Sequence, residues 1–448
     1  MYGLPWWTSL LQMVARAAIE TAADCLTERR FTVLGPYFRF IAAHPGALAF
    51  GFMLTFFSAF GQTFFIALFN REIRELYDLT AGEFGTLYAV ANLTGAVLMI
   101  RAGRQIDHWP LTRFAGSVVV GLAIAATLMA VLPPGHIWVL FIALLLLRLC
   151  GQGLMYHTAV TTAARTFHGQ RGQAISLVSM GFAVGEAVWP VTVVALVSAM
   201  GWRFTWAGAA VLLAVVVLPS VVGLARRCYP PQPRGSGGPA PVPVNDRSRT
   251  QVLRDPAFYL VLPAMVSPGF VNTGVFFHQV SIAEAKGWTL MAFASAFTTY
   301  ALTTLVIMLV GGRLIDRTSA RAVLRFALIP LMLGLLLLAY GEAPLVAHGY
   351  MVLAGATSGL FYGISTPVWA ELYGITHLGA IRAMTTGLMM VSAALAPPLL
   401  GWMIDLGFAI STTMVAFAAY VLFAIILIQP ALAVHRRCSR AAETPGEN

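Results

Sequence analysis

Gly103-Arg104-Gln105-Ile106-Asp107, with Arg113 just beyond it, and Gly312-Arg313-Leu314-Ile315-Asp316, with Arg317 and Arg321 beyond it, are two copies of one short polar loop. Each copy follows a long apolar run and precedes another. The two aspartates stand 209 positions apart in a chain of 448 residues, close to half its length. A period that long excludes a solenoid of small repeats. It predicts two related halves, each a bundle of apolar helices.

Composition puts those helices in a bilayer. Apolar residues make up 58% of the chain and charged residues 10%, against roughly 25% charged in soluble domains. A soluble core has no use for so much apolar surface, so the expected class is an all-α, polytopic membrane protein. The net charge of +10 does not point to nucleic acid. Its arginines sit in short clusters between apolar runs, the pattern of loops facing an anionic leaflet. The four cysteines, Cys25, Cys150, Cys228 and Cys438, have no metal-ligand spacing and predict no disulfide framework.

Residues 1–45 form a leader. Leu4, Trp7, Leu10, Leu11, Val14 and Ala18 fit one helical stripe, so the leader is either an interfacial amphipathic helix or a poorly ordered segment. Its acids Glu20, Asp24 and Glu28, and the lack of a basic start before an apolar core, argue against a signal peptide. Twelve spans of about 20 residues follow. Six are expected near 47–69, 83–101, 114–132, 137–158, 174–198 and 203–225, within a first bundle at 46–226. Six more are expected near 256–282, 290–311, 322–340, 345–366, 382–405 and 410–433, within a second bundle at 254–434. Between them, 227–253 carries Pro230-Pro231-Gln232-Pro233 and Gly235-Ser236-Gly237-Gly238 and reads as a flexible linker. Residues 435–448 form a tail.

Twenty-three arginines fall at one set of span ends and four basic residues, Arg71, Arg74, Arg203 and Lys286, at the other. That bias places both termini and the linker in the cytosol, as an even number of spans also requires. The expected location is the cytoplasmic (inner) membrane.

The two Gly-Arg-x-x-Asp loops, between spans 2 and 3 and between spans 8 and 9, resemble the signature loop of the major facilitator superfamily. Arg148-Leu149-Cys150-Gly151-Gln152-Gly153 in span 4 resembles that family's second motif, and Gly201-Trp202-Arg203 and Asp255-Pro256-Ala257-Phe258-Tyr259 have a similar look. The resemblance covers roughly 46–434. Phe60-Gly61-Gln62-Thr63 in span 1 looks closest to bacterial oxalate/formate and monocarboxylate porters. The resemblance implies two pseudo-symmetric six-helix bundles that rock about a midplane site. It also implies a cytosolic gate at Gly103, Arg104, Asp107, Arg113, Gly312, Arg313, Asp316, Arg317 and Arg321, with Glu371 after span 10 as a partner for Arg317 or Arg321. The plainer reading of these charges is solvated loops that mark topology.

Arg148 lies in mid-span, where a charge costs at least ~2.5–3.5 kcal/mol. Glu186 in span 5 is the candidate that offsets it. Both residues are about 12 positions, or about 18 Å, from the cytosolic edge of consecutive antiparallel helices. They can form a structural ion pair that locks two spans. Alternatively, Arg148 receives an anionic substrate through its two-pronged fork while Glu186 takes a proton. Aligning Gly153-Leu154 with Gly359-Leu360 puts Ala354 opposite Arg148, so the cationic position has no twin. The basic residue expected in span 8 or 11 of oxalate and monocarboxylate carriers is missing: span 8 offers Thr298, Thr299, Tyr300, Thr303 and Thr304, and Arg382 stands only at the start of span 11.

Polar residues at helical spacing complete the predicted chamber: Ser58 and Gln62, Tyr88 and Asn92, Gln152 and Tyr156 beyond Arg148, Asn272 and Gln279, and Ser358, Tyr362 and Ser365. Singly, each can be a helix–helix hydrogen bond of about 0.6 kcal/mol. His278 is a proton-relay or interfacial candidate. The expected substrate-binding set is Arg148, Gln152, Tyr156, Gln62, Asn92, Asn272 and Tyr362, with Glu186 for proton coupling. No phosphate loop, nucleophile elbow or metal-ligand cluster occurs, so neither an enzyme nor a cofactor is expected. The expected partners are a small-molecule substrate, protons and the lipid bilayer, and the chain is expected to be a monomer. Three functions remain open: proton-coupled carriage of a small organic anion, efflux of an amphipathic compound over Phe276, Phe277, Phe361, Met389 and Met390, and a non-transporting sensor or scaffold.

Overall fold

The computed structural model describes residues 39–167, 170–229, 249–374 and 377–443. Most of the leader, the centre of the linker and the end of the tail lie outside the described residues, as do the side chains of Asp107, Arg313 and Asp316. Every regular element among the described residues is helical. Hydrocarbon offers backbone N–H and C=O groups no partners, so an open chain crosses it only as helix.

Among the described residues, ten helices are each long and apolar enough to cross a membrane: Ala81–Ile106, Leu111–Ala130, Ile137–Thr166, Gly172–Met200, Trp202–Cys228, Pro256–Phe277, Leu290–Gly312, Ala320–Tyr340, Ala380–Asp405 and Ile410–Pro430. They are spans 2 to 9, 11 and 12. Spans 1 and 10 are bent pairs, Pro45–Gly61 with Thr63–Tyr77 and Leu345–Ile364 with Pro367–Tyr373, each turning by 46°. The architecture is an all-α, twelve-span membrane protein. Span 1 departs from the expected single helix near 47–69. Its backbone is extended at Gln62 (ψ 154°), which ends one segment and starts another that runs on to Tyr77.

Local chemistry sets the span ends. Thr80 and Glu83 form a reciprocal capping box at the start of span 2, Thr80 Oγ1 accepting from the Glu83 N–H and Glu83 Oε2 from the Thr80 N–H. Asp255 Oδ1 accepts from the Ala257 N–H and opens span 7 ahead of Pro256. Gly201, at φ 81°, makes the turn into span 6. Next to it Arg203 donates to the carbonyls of Ala130 (3.2 Å) and Leu132 (3.0 Å), which end span 3. These contacts give physical roles to two of the stretches singled out in the sequence.

Spans 1–6 and 7–12 meet along a seam. Span 2 packs on span 11, span 5 on span 8, and the upper part of span 1 on span 7. The tightest approach is at the arginine-poor face. A Cβ on Gly85 would lie 2.7 Å from the Pro397 carbonyl, and one on Gly401 2.5 Å from that of Ala81. Small residues let these backbones touch.

Candidate functional site

Arg148 sits in a π-helical stretch of span 4, Leu147–Met155, a distortion that recurs at functional sites. The stretch lies against the break in span 1. A Cβ on Gly61 would lie 2.7 Å from Gly151 Cα, so the two glycines bring backbone onto backbone. The guanidinium then reaches the break. Nη1 donates to the Gly61 carbonyl (2.9 Å) and the Thr63 hydroxyl (3.4 Å), and Nε donates to Asn92 Oδ1 (3.0 Å). Its Cζ lies 5.2 Å from the centroid of the Tyr88 ring, whose hydroxyl shares a 2.8 Å hydrogen bond with Thr63. Tyr88 and Asn92 thus share a face, as their spacing implies, and it is the face turned to Arg148.

Hydrogen bonds to a charged group are worth ~1.5–3 kcal/mol each and a desolvated cation over a ring ~2 kcal/mol. Together they match the cost of placing the arginine there. None of these partners carries charge, however. Nη2 has no hydrogen bond to a described residue, and it is not one of the fully buried atoms without a partner. The side chain is 4% exposed. Arg148 is therefore solvated by the protein but not neutralised.

The expected pair with Glu186 does not form. Ion pairs between described side chains join Arg71 to Glu75 and Glu284 and Arg321 to Glu371, and neither Arg148 nor Glu186 acts electrostatically on the other. Equal depth on neighbouring spans was a necessary condition, not a sufficient one. Glu186 turns instead to the seam between the halves. The Thr298 hydroxyl of span 8 donates to the carbonyl of the next residue, Ala187 (2.8 Å). The Glu186 carboxyl lies within electrostatic reach of Tyr300 and Tyr362. At 7% exposure it has no hydrogen bond or ion pair to a described residue.

Tyr300 belongs to a small polar knot in the second half. Its hydroxyl donates to Ser358 Oγ (2.9 Å), and Asn272 Nδ2 reaches Ser358 Oγ (3.1 Å) and the Tyr300 hydroxyl (3.5 Å). Asn272 is 8% exposed and its Oδ1 is buried without a partner. Tyr362 is 60% exposed although it lies within span 10, so its ring faces an opening. It is within electrostatic reach of Tyr156, which is 39% exposed and bonds Ser179 at 3.4 Å. In the register that pairs Gly153 with Gly359, Tyr156 and Tyr362 are equivalent positions, one from each half.

The other candidates scatter. Gln62 is buried at the span 1 break, and its carbonyl accepts from Phe65 and Ile66. Gln152 is half-buried within the π-helical stretch. Gln279 falls beyond span 7, in the short helix Gln279–Ala285, and donates to the Phe64 carbonyl (2.8 Å) across the seam. His278 is buried and meets the Pro397 carbonyl at 2.8 Å, inside the second half and away from Arg148.

At the arginine-poor face the halves are joined by contacts that the sequence reading missed. Asp405, at the end of span 11, accepts from the Ala81 N–H (3.0 Å) and the Gly82 N–H (2.7 Å) of span 2. Asn70 Nδ2 donates to the Phe277 carbonyl (3.1 Å), and Trp402 Nε1 to Thr86 Oγ1 (3.3 Å). A cleft of about 610 Å³ beside them is lined by Asn70, Arg71, Arg74, Glu75, Asp78 and Glu284 among others. It belongs to the surface, since the side chains of Arg71 and Glu75 are each 63% exposed. At the opposite face, Glu371 accepts from the backbone N–H groups of Ala320 (2.8 Å) and Arg321 (3.2 Å) and pairs with the Arg321 guanidinium (3.0 Å). It caps span 9 from within its own half. Arg104, Arg113 and Arg317 are all exposed.

A family model described as Major Facilitator Superfamily matches residues 51–294 and 264–445. No curated protein sequence gives a significant match. Among solved structures, a single-residue mutant of the nucleoside transporter NupG superposes with a TM-score of 0.64 at 14% identity, covering 86% of this chain and 99% of the other. A bacterial homologue of the human lysosomal transporter Spinster, in an inward-facing and occupied conformation, gives 0.62 at 16% identity, with 92% and 99% covered. The same homologue, inward-facing and unoccupied, gives 0.58 at 16% identity, again covering 92% and 99%. At these identities the likeness is one of fold.

Proposed function

The chain belongs to the major facilitator superfamily, and from that premise we propose that it is a secondary transporter that carries a small organic anion by alternating access, coupled to protons. The observation that supports this best is Arg148, a buried guanidinium held by neutral groups, with one nitrogen unclaimed and no carboxylate paired to it among the described residues. A charge solvated but not neutralised at that depth favours a ligand of opposite charge, and a carboxylate fits its fork. Glu186 is the proton site: it faces the seam that must part and close in each cycle. The proposed substrate set joins Arg148 and Asn92, with Gln62 and Gln152 beside the span 1 break, to Tyr156, Tyr362 and Asn272 farther off.

The arginine-rich face is cytosolic and the membrane is the inner one, by the positive-inside bias. The two Gly-Arg-x-x-Asp loops at that face act as its gate, and the protein works as a monomer. Packing at the arginine-poor face and the exposure of Tyr156 and Tyr362 favour a state open to the cytosol, the conformation in which the Spinster homologue was captured. Efflux of apolar compounds has less support. Phe276, Phe277 and Phe361 are buried in packing, with Phe277 against Tyr88 at 4.6 Å between ring centroids.

The test is anion uptake into proteoliposomes by Arg148→Gln protein that remains monodisperse in detergent. Uptake should fall by about 100-fold or more, because removing one partner of a buried charged contact costs ~3–5 kcal/mol. Uptake at the wild-type rate would refute the reading.

A further inference from the structure

Two buried groups of opposite charge face the interior of this protein, and neither is used by the other. Arg148 is held by Gly61, Thr63, Asn92 and Tyr88. Glu186 stands alone at the seam. No described residue donates a hydrogen bond to Glu186, although the Tyr362 hydroxyl lies within its electrostatic reach. The Tyr300 hydroxyl directs its proton to Ser358. The Asn272 amide nitrogen is engaged by Ser358 and Tyr300, which leaves Asn272 Oδ1 buried with no partner. Tyr300, bonded to the Asn272 knot and within reach of the Glu186 field, ties the two acceptors to one neighbourhood. The Asn272 oxygen is fully buried without a partner, and the Glu186 carboxyl, on a residue 7% exposed, has no hydrogen bond to a described residue; both gain if a donor arrives. A proton serves Glu186 but not Asn272. A primary ammonium carries several N–H donors and one positive charge, and serves both.

We propose that the substrate is amphoteric, with its anionic group on Arg148 and a protonated amine received by Glu186 and Asn272 Oδ1. The first half of that statement rests on the anion reading above; the second rests on the Glu186–Asn272 neighbourhood alone. Because Arg148 and Glu186 are too far apart to pair, the two charges sit at opposite ends of the molecule. An ω-amino carboxylate has that form. Tyr362, exposed and within reach of Glu186, stands where the connecting chain passes. An ammonium on Glu186 also replaces the proton there, so the substrate and a proton occupy this carboxylate by turns.

The experiment measures binding to purified full-length protein, by calorimetry and by thermal stabilisation. The probes are β-alanine, γ-aminobutyrate and δ-aminovalerate, each beside the plain carboxylate of the same length and the plain amine. The wild-type protein should prefer one amino carboxylate over its plain carboxylate by about tenfold or more, the worth of one charge-assisted contact. Glu186→Gln should erase that preference by weakening the amino carboxylate more than the plain carboxylate. Asn272→Ala should reduce the preference, and Glu186→Asp should restore part of it. Equal or tighter binding of plain carboxylates to wild type overturns the proposal and leaves the anion reading standing. Plain amines that bind undiminished to Arg148→Gln protein, with no carboxylate binding to wild type, overturn the anion reading and leave the ammonium subsite standing. No binding by any probe overturns both.

Discussion

Replacing Asp405 should open the arginine-poor face. The first turn of span 2 has orphan backbone donors, as every helix does. Its own capping box satisfies the Glu83 N–H. The next two, on Ala81 and Gly82, are satisfied by Asp405 from span 11 at 3.0 and 2.7 Å, so a cap begun in one half is completed by the other. Such a bond to a carboxylate is worth ~1.5–3 kcal/mol when buried. Asp405 is exposed, and water competes for both partners, so the two bonds together hold the face shut by roughly 1–2 kcal/mol. Asp405→Ala should therefore raise the open population by a factor of about 5–30, and Asp405→Asn, which keeps one acceptor, by less. Spin labels at Asp78 and Ser281, which line the nearby cleft from the first and second halves, report the change as a longer inter-label distance by pulsed electron resonance. Unchanged distance distributions in Asp405→Ala protein would refute the argument that this cap is a latch.

Gly85→Val places a branched side chain against the Pro397 and Pro398 backbone, so the two spans must move apart; the same labels should show the face held open, with uptake lost. Glu371→Ala removes two backbone acceptors and an ion pair whose side chains are each 26% exposed. The cost is about 1–2 kcal/mol, seen as a melting temperature lower by a few degrees. Arg71→Ala breaks pairs whose side chains are more than half exposed and should leave melting and uptake near wild type. A drop of several degrees there would show that the cleft is more than surface.

The repeated Gly-Arg-x-x-Asp loops and the apolar runs made the fold legible, because lipid leaves a spanning chain one backbone solution and the halves share one plan. The same was true of the Arg148 face: Tyr88 and Asn92 are four residues apart in regular helix and arrive together. Legibility failed where the helix did. The break at Gln62 and the π-helical stretch of span 4 change the number of residues per turn, so no 3.6-residue pattern could show that Arg148 would point at span 1 instead of Glu186. Asp405 went unnoticed for another reason. Its partners are backbone N–H groups more than 300 positions away, which carry no residue signature, although an acid closing an apolar run opposite an unfinished Thr-x-x-Glu cap was a sign of it. Ser358, Tyr300 and Asn272 were visible as polar positions, but the knot they make depends on three helices meeting.

The knee in span 1 has a mechanical meaning. A straight rod needs no brace, but a rod bent by 46° at Gln62 exposes a carbonyl, and the brace on that carbonyl is the guanidinium that a cargo anion would seek. On the proposed reading, an anion docking there would compete with the Gly61 carbonyl for the guanidinium. The upper segment carries Asn70, which grips the far half of the molecule through Phe277. Loading the cargo and releasing the distant mouth would then be two ends of one lever, with Arg148 as its fulcrum.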